Sequence, residues 1–520
     1  MKMDKRKKNR ILLINPPFQR LKGIAHIYLP IGLGYLCAYI SKEDSVVAAI
    51  YNSEVPDLSE KLIFQIKYQD MLNFHEKYID ALRDENNYVW KEVRRTISDF
   101  APDVVCLTVM TAKYDSALNI SNIAKTVNKD CKVIWGGPHP TIEPEGVLRN
   151  SSVDFAVRGE GEITLSELIS VLSEDWTPSS SKLERINGLS YKADGGIKHN
   201  SPRGLIEDLD TLPFPSRDKV LFSERYLPSS WGDIITLRGC PFRCGYCSAH
   251  NIWTRRVRYK KPEKVIEEIR YVISKYGNKE FYFWDDSFTL DRNRALELCG
   301  LLKNIGTRIS WGCTTRVDLL DDAIIKAMKS AGCSSISIGI ETGSENMIKA
   351  IHKDITRDMV INAVSLLDKY NLKYDAFFMV GFPEETKEDI KKTFDLMKSL
   401  KKGRVCFSIF TPYPGTEQYD IAKSYGLISD SPDWSRFSHQ SNENHFMKNI
   451  TKDEFKKYVE EISLWIDGKN TKNTAIWPLL WVACLNIRPL VKNPRLIINK
   501  LKTLFNIVRD KIKHIAGSDN

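Results

Sequence analysis

Three cysteines carry the clearest chemical signal in this chain. Cys240, Cys244 and Cys247 lie within eight residues of one another, in the segment RGCPFRCGYCSAH. Three thiolates at this spacing can converge on one soft metal centre. A cubane iron–sulfur cluster held by three thiolates keeps one iron open for a substrate or cofactor, whereas a structural zinc ion needs a fourth ligand. His250 is the available fourth ligand, but the spacing C-x3-C-x2-C favours the open iron–sulfur cluster.

The cysteine triplet directly follows the first of six short apolar runs in the second half of the chain. These runs, which helical patterns separate, span 233–238, 280–284, 308–312, 334–340, 374–380 and 404–411. Six β/α units of this kind predict a partial (β/α)6 barrel of the TIM type, in which the chemistry lies at the carboxyl ends of the strands. The triplet is therefore predicted at the first of these strand ends.

A second alternating pattern occupies the first part of the chain. Its apolar runs span 11–15, 46–51, 104–109, 132–137 and 155–159, and helical patterns at 32–42, 115–128 and 163–173 lie between them. This alternation predicts an α/β fold with a parallel, doubly wound sheet. Ligands of such sheets bind beyond the carboxyl ends of the strands.

The patterns divide the chain into four parts. We predict a Rossmann-like domain over 1–195 with a helical insertion at about 55–98, a linker over 196–232, the barrel over 233–440 and a helical, basic region over 441–520. The linker is rich in proline and has little periodicity.

Composition excludes several classes of protein. The chain has 520 residues, of which 42% are apolar, and it contains 11 Trp, 21 Phe and 21 Tyr, so it is not a disordered protein. Much of its net charge of +10 comes from residues 1–10 and 486–514, which leaves the body close to neutral. A neutral body gives no electrostatic case for a nucleic-acid partner.

We expect a cytoplasmic location. The sequence shows neither a secretory signal nor an apolar stretch long enough to span a bilayer. Eleven cysteines in such a chain indicate ligands or reduced core residues rather than disulfides. Apolar residues at helical spacing from 497 to 508 predict a basic amphipathic helix, which either packs on the barrel or makes a peripheral membrane contact.

Over roughly residues 230–440 the chain resembles the radical S-adenosylmethionine (SAM) superfamily, because the cysteine triplet and several later strand-end motifs recur in order. The resemblance implies that the three cysteines bind a [4Fe-4S] cluster whose open iron chelates the methionine part of SAM. One-electron reduction then produces a 5′-deoxyadenosyl radical, which abstracts hydrogen from the substrate.

The resemblance also implies SAM contacts at successive strand ends. Asp285 or Asp286 would accept from the amino group of SAM, and Arg316 would pair with its carboxylate. Glu341 is placed for the ribose hydroxyls or the sulfonium. Gly381 and the main chain of Tyr246 are placed for the adenine.

The first block resembles the cobalamin-binding domain found ahead of this radical SAM core. The matching stretches are INPPF (14–18), YLPIGLGYLCAYI (28–40), APDVVCLTVMTAKY (101–114), VIWGGPHPTIEPE (133–145) and VRGEGEITLSEL (157–168). The implied cobalamin contacts are Asn15, Pro16, Thr108, Gly136, Gly137, His139, Gly159 and Glu160. The motif D-x-H-x-x-G is absent, so we expect cobalamin without a histidine lower ligand; His139 is the one loop-tip candidate.

The two resemblances together imply a cobalamin-dependent radical SAM enzyme. We expect a methyltransferase that uses a 5′-deoxyadenosyl radical and methylcobalamin to methylate an unactivated carbon. The alternative is a cyclase or oxidoreductase of the anaerobic tetrapyrrole-cyclase type, without methyl transfer. The expected partners are a small-molecule or lipid-like substrate and an external electron donor.

Two other functions are disfavoured. A methylthiotransferase would need three more cluster ligands in the first domain, and Cys37, Cys106 and Cys131 are instead predicted as core thiols. A non-catalytic cobalamin- or cluster-binding regulator would have no use for a cluster with an open iron.

Overall fold

The computed structural model describes residues 9–57, 60, 67–193, 195–441 and 443–473. The predicted amphipathic helix at 497–508 lies outside these residues, as do most of the basic run at the amino terminus and part of the predicted insertion. Within the described ranges, no helix combines the length and the apolar character needed to cross a bilayer.

A seven-stranded sheet forms the centre of the first domain. Its strands are β1 (Asn9–Asn15), β2 (Val46–Asn52), β3 (Val104–Thr108), β4 (Lys132–Gly136), β5 (Phe155–Val157), β6 (Leu189–Ala193) and β7 (Gly196–His199). The order is β2-β1-β3-β4-β5-β6-β7, with β1 to β5 parallel and β6–β7 an antiparallel hairpin at the edge. The winding reverses between β1 and β3, and ligands of doubly wound sheets bind at such a point.

Helices cover both faces of this sheet. They are α1 (Ile31–Ile40), α2 (Tyr68–Asn73), α3 (His75–Arg83), α4 (Tyr88–Phe100), α5 (Tyr114–Val127), α6 (Pro138–Ile142), α7 (Pro144–Leu148), α8 (Gly161–Glu174) and α9 (Ser180–Leu183). Ile11 and Leu13 of β1 belong to one apolar core, and Leu12 and Ile14 belong to the core on the opposite face. A strand buried on both faces must be apolar throughout, which explains the continuous run ILLIN.

The second domain is an open barrel. Its elements are β8 (Asp233–Ile234), β9 (Leu237–Arg238), α10 (Ala249–Trp253), β10 (Arg258–Tyr259), α11 (Pro262–Tyr276), β11 (Glu280–Phe283), α12 (Arg292–Lys303), β12 (Ser310–Arg316), α13 (Asp322–Ser330), β13 (Cys333–Glu341), α14 (Glu345–Ala350), α15 (Arg357–Lys369), β14 (Lys373–Val380), α16 (Lys387–Ser399), β15 (Arg404–Ile409), α17 (Glu417–Ser424) and α18 (Lys452–Asn473). Six strands pair in parallel in the order β15-β14-β13-β12-β11-β8. No pairing among the described strands joins β15 to β8, so the predicted partial barrel is confirmed.

The apolar run at 233–238 forms two short strands rather than one. Only β8 belongs to the barrel, while β9 pairs antiparallel with β10. Between them, the amides of Thr236 and Leu237 donate to the buried carboxylate of Asp285 instead of to a neighbouring strand. This side chain bends the strand just before the cysteine triplet.

Two stretches outside the predicted strands also build the first domain. Helix α4, inside the predicted insertion, packs on α5 and supplies the crossover that the parallel strands β2 and β3 require. Strand β7 lies inside the predicted linker, and Val220 of that linker bridges Ile50 at the opposite edge of the sheet.

Side chains cover the open edge of the barrel at β15. The amide of Asn470 on α18 accepts from Val405 N at 3.1 Å and donates to Val405 O at 2.9 Å. The Tyr68 hydroxyl on α2 accepts from Phe407 N at 3.3 Å. Edge strands present unpaired backbone groups, and these contacts satisfy them on β15.

Candidate active site

The carboxyl ends of the two sheets face each other across a cleft. Gln19, in the loop after β1, donates to Gln440 at 3.0 Å, and the ring of His139, after β4, lies 5.0 Å from that of Trp434. Both barrel residues belong to the segment that follows β15. Loops at the ligand-binding ends of two α/β domains therefore enclose one shared space.

The cysteine triplet lies at the barrel side of this cleft. Cys240, Cys244 and Cys247 are all half-buried. Burial, together with the nearby charges of Asp286, Cys244 and Cys240, raises the pKa of Cys247 to about 11. A cationic iron cluster bound here would stabilise the thiolate forms of the cysteines. The described residues contain no preformed cage of three metal ligands.

Two neighbouring acids after β11 have different environments. Both oxygens of Asp285 are bonded: Oδ1 accepts from Thr236 N at 2.6 Å, and Oδ2 accepts from Thr236 Oγ1 at 2.6 Å. The Asp286 side chain is accessible to solvent. The pKa of its carboxyl is nevertheless raised, because the surrounding protein limits its hydration and Asp285 lies beside it. Of the two predicted acids, Asp286 is the one with a carboxylate free toward the cysteines.

A polar cluster lies on the far side of the triplet. Lys353 Nζ donates to Glu341 Oε1 at 2.9 Å, and the Tyr246 hydroxyl donates to the same oxygen at 3.0 Å. Arg316 forms a two-point ion pair with Asp318. The sequence pattern gave no signal for Lys353 or Asp318, because neither stands at a strand end.

Arg316 lies beside the cysteine loop. Its Nη1 is 3.7 Å from Cys244 Sγ, and its guanidinium lies 3.7 Å from the centroid of the Phe242 ring. The structure thus places a fixed positive charge next to one of the three thiols.

A buried carboxyl holds the turn that contains Gly381. Gly381 has φ = +103°, and Glu385 accepts from its amide at 2.5 Å and from Phe382 N at 3.2 Å. Burial raises the pKa of Glu385 to about 8. Only glycine adopts this φ without strain, and a Cβ at Gly381 would lie 2.9 Å from the Phe455 ring, so the turn at the carboxyl end of β14 packs closely against α18.

A buried ion pair lies at the switch point of the first sheet. Lys113 Nζ donates to Asn15 Oδ1 at 3.0 Å and to Pro16 O at 2.9 Å, and it pairs with Glu54 at 2.8 Å. The predicted Asn15 and Pro16 are thus held by Lys113, which sequence reasoning missed because only the fold brings it to β1. Asn15 also donates to the Tyr28 hydroxyl at 2.8 Å.

Glycines shape the neighbouring strand ends. Gly136 ends β4, and Gly137 follows with φ = +98°. A Cβ on Gly137 would lie 3.2 Å from Thr108 Oγ1, and Gly159 has φ = +72° with open space beside it. Backbone that is free of side chains lets a large flat group approach closely, so this edge suits a corrin ring.

His139 is buried rather than presented at a loop tip. Its ring packs 5.0 Å from both Tyr114 and Trp434, and its Nδ1 bonds with Thr111 Oγ1 at 3.2 Å. Burial lowers the pKa of His139 to about 3, so the ring is neutral near pH 7.

Comparison with known proteins agrees with this geometry. The Radical SAM superfamily model matches residues 234–397, and the B12 binding domain model matches residues 24–169. The chain is 33% identical over 434 residues to an uncharacterized methyltransferase of Pyrococcus horikoshii, across 82% of this chain and 86% of the relative. This chain belongs to the cobalamin-binding radical SAM enzymes. Its cofactors are a [4Fe-4S] cluster, SAM and cobalamin.

Other similarities support the same fold. An anaerobic magnesium-protoporphyrin IX monomethyl ester cyclase of Rubrivivax gelatinosus is 28% identical across 66% of this chain, which spans 62% of the cyclase's length. The radical SAM methyltransferase TsrM of Kitasatospora setae superposes with a TM-score of 0.62 at 17% identity, covering 83% of this chain and 81% of TsrM. The cobalamin-dependent SAM radical enzyme OxsB superposes with a TM-score of 0.65 at 18% identity, and the superposition covers 98% of this chain and 72% of OxsB.

In this radical SAM enzyme, a buried ion-pair network joins the two cofactor domains. Arg238, two residues before Cys240, donates to Glu160 Oε1 at 2.6 Å and to Glu162 Oε1 at 2.5 Å. Arg258 donates to the other oxygen of Glu160 at 2.7 Å. The Glu160 carboxylate is thus engaged by barrel arginines. We call these four residues the interdomain clamp.

The first prediction concerns the stability that the interdomain clamp provides. Glu160→Gln leaves two buried arginines facing a neutral amide, so we expect the free energy of unfolding to fall by about 3 kcal/mol. Glu145→Gln is the matched control, because Glu145 pairs with Arg149 in an exposed contact and should cost less than about 0.5 kcal/mol. Anaerobic urea denaturation measures both variants. Equal losses in the two would contradict a dominant role for the clamp.

The second prediction concerns pH. Glu385 is neutral in the folded protein up to a pKa of about 8, whereas its ordinary value is 4.5. The unfolded chain therefore releases this proton first, so the contribution of Glu385 to stability is complete below pH 4.5 and declines as the pH rises toward 8. We expect the melting temperature of Glu385→Gln to rise relative to that of wild type as the pH increases from roughly 5 to 8. Glu388 is exposed, so Glu388→Gln should have the same melting temperature as wild type at each pH. If the difference in melting temperature between Glu385→Gln and wild type did not change with pH, the raised pKa of Glu385 would be refuted.

Proposed function

We propose that this enzyme transfers a methyl group to a carbon atom of a small-molecule substrate. The observation that supports this proposal is the length of one similarity, which spans 82% of this chain and 86% of the uncharacterized methyltransferase of P. horikoshii. The similarity to the cyclase covers only 62% of that protein. A match over 434 residues extends beyond either cofactor domain alone.

The cluster and SAM supply a means of abstracting hydrogen from carbon, and cobalamin supplies a methyl carrier. In this proposal Cys240, Cys244 and Cys247 hold the cluster. Arg316 stabilises the negative charge at Cys244 from 3.7 Å. The interdomain clamp fixes the cysteine loop relative to the cobalamin-binding edge.

The SAM-binding roles are divided among the strand ends. Asp286 accepts from the amino group of SAM, because its carboxylate is accessible and lies near Cys240 and Cys247. Asp285 positions the strand before the triplet. The Gly381 turn presents backbone to the adenine, and the oxygen of Glu341 that Lys353 holds faces the ribose.

On the opposite edge, Asn15, Pro16, Thr108, Gly136, Gly137 and Gly159 form the cobalamin-facing surface. The Lys113–Glu54 pair fixes the Asn15 end of this surface, and Gly159 has open space beside it at the other end. His139 packs beneath this surface between the rings of Tyr114 and Trp434, so its role is structural.

The second candidate is a cyclase or oxidoreductase without methyl transfer, which the similarity to the R. gelatinosus cyclase favours. A methylthiotransferase gains no support from the thiols of the first domain. Cys37 and Cys106 belong to one core and Cys131 to the core across the sheet. Burial raises the pKa of Cys37 to about 11, as suits a core thiol.

The proposal includes a cytoplasmic location, an external one-electron donor and a peripheral membrane contact through the basic segment 486–514. That segment lies outside the described residues, so charge alone supports the contact.

The third prediction tests the reaction type. The cofactor-loaded enzyme, reduced anaerobically with SAM labelled on its methyl group, should form S-adenosylhomocysteine, 5′-deoxyadenosine and labelled cobalamin, because methyl transfer uses SAM in both ways. One chromatogram measures all three products. Cys244→Ala should lose 5′-deoxyadenosine. Formation of 5′-deoxyadenosine without labelled cobalamin would reject methyl transfer in favour of the cyclase.

The fourth prediction separates the neighbouring acids. Asp286→Asn should weaken SAM binding by about tenfold, because one charge-assisted hydrogen bond is lost, while the cluster absorption is retained. Asp285→Asn should instead lower cluster content and stability, because the Thr236 hydroxyl loses its acceptor Oδ2 and meets an NH2 group, while the amides of Thr236 and Leu237 keep only the weaker amide oxygen. Equilibrium dialysis of SAM and the visible spectrum provide the two readouts. Unchanged SAM affinity in Asp286→Asn would remove that residue from the site.

A further inference from the structure

Arg316, the last residue of β12, makes a contact that its expected role in SAM binding does not require. Its Nη1 donates to Cys244 Sγ at 3.7 Å. The opposite edge of the guanidinium donates to Asp318, with Nε 2.9 Å from Oδ1 and Nη2 3.0 Å from Oδ2. Nη2 also donates to Lys353 O at 2.8 Å. The protein itself therefore uses the hydrogens of Nε and Nη2, and Nη1 is the edge that faces the cysteine loop.

The guanidinium of Arg316 is held rigidly in this position. Its two-point contact with Asp318 is a geometry that arginine forms and lysine does not. It also lies 3.7 Å from the centroid of the Phe242 ring, in the same loop as Cys244. Arg316 is only 6% exposed. A buried, fixed charge acts more strongly on its neighbour than an exposed one, because solvent and salt screen it less.

The loop that supplies the Lys353 carbonyl is strained and anchored. His352 and Asp354, on either side of Lys353, have φ values of +51° and +54°, in the left-handed region. Lys353 is buried, and its Nζ pairs with Glu341 at 2.9 Å, which balances its charge. Strained backbone persists only where the surrounding contacts determine it. The carbonyl that accepts from Arg316 is therefore a fixed acceptor.

The charges beside the three thiols are distributed unevenly. The carboxylate of Asp286 lies near Cys240 and Cys247 and places a negative charge on that side of the loop. Arg316 contacts Cys244 and has the opposite sign. The electrostatic influence of the protein on a cluster bound here therefore depends on how closely Arg316 is held.

We propose that Arg316 raises the reduction potential of the cluster that the cysteines hold, and that Asp318 positions it for this role. One-electron reduction by the external donor adds a negative charge to a cluster whose thiolate ligands are already anionic. No proton moves, because the guanidinium stays charged. A fixed cation and a hydrogen bond to a ligand sulfur both stabilise the added electron. The inference rests on the proposed function only in the assignment of Cys240, Cys244 and Cys247 as cluster ligands.

A redox titration tests the inference. The full chain, loaded with its cofactors but without SAM or substrate, is poised electrochemically at a series of potentials under anaerobic conditions, and electron paramagnetic resonance measures the reduced cluster at each one. Arg316→Gln should lower the equilibrium constant for reduction at least about tenfold, which is a shift of about 60 mV toward more negative potential for a one-electron couple. Arg243→Gln is the matched control, because Arg243 directly precedes Cys244 but is exposed, and its shift should be less than about a third as large.

Two further variants separate the charge of Arg316 from its position. Arg316→Lys keeps the charge but cannot make the two-point contact and the thiol contact together, so its potential should lie between those of wild type and Arg316→Gln. In an Asp318→Asn background, Arg316→Gln should shift the potential at most about half as far as in the wild-type background, because the arginine is no longer held. This double-mutant comparison cancels the direct effect of removing the Asp318 charge.

The outcomes that overturn the inference are distinct. An unchanged potential in Arg316→Gln, or a shift that Arg243→Gln reproduces, would overturn the effect of Arg316 on the cluster. Equal shifts in the two Asp318 backgrounds would overturn the positioning role. Equilibrium dialysis adds a further test, because weaker SAM binding by Arg316→Gln at unchanged potential would assign Arg316 to SAM instead.

The proposed function fails in a different way. If the wild-type chain did not assemble a cluster, the assignment of the three cysteines would be wrong, whereas an assembled cluster with no response to Arg316 contradicts only the present inference. If Arg316→Gln alone lost its cluster, Arg316→Lys would provide the comparison, and a potential equal to that of wild type would then overturn the inference.

Discussion

The contact of Arg238 with Glu160 and Glu162 fixes the relation between the two halves of the molecule. Its members are buried and come from opposite domains, and Arg238 stands two residues before the cysteine triplet. Buried charges are tolerated only where geometry and partners are complete, so the pair specifies one arrangement of the domains rather than a range. Chemistry shared between two cofactors depends on such a fixed separation, because reacting groups must be held at defined positions.

The charged side chains beside the cysteine loop also have defined partners. Asp285 uses both carboxylate oxygens to shape the strand before the triplet, which leaves Asp286 with an accessible carboxylate. On the other side, Arg316 and Lys353 are paired by Asp318 and Glu341. Each charged group near the thiols thus has either a structural partner or an open face, and the open faces are those available to ligands.

The open barrel has a structural cost and a functional use. Six strands leave β15 as an edge, and side chains of Asn470 and Tyr68 satisfy its backbone. The gap between β15 and β8 leaves the barrel open, where a closed barrel would be fully packed. An enzyme that places a substrate between two cofactor domains needs such an opening.

The sequence by itself determined the fold class, the six barrel strands and the cysteine triplet, because apolar periodicity and short-range spacing are local properties. It also placed Asp286 and the glycine turns at strand ends. It grouped Glu160 with the cobalamin contacts and gave no sign that this side chain pairs with Arg238 and Arg258. It likewise missed Lys113 and Lys353 and could not rank Asp285 against Asp286. Those roles depend on which side chains meet across distant segments, and only the tertiary structure decides that.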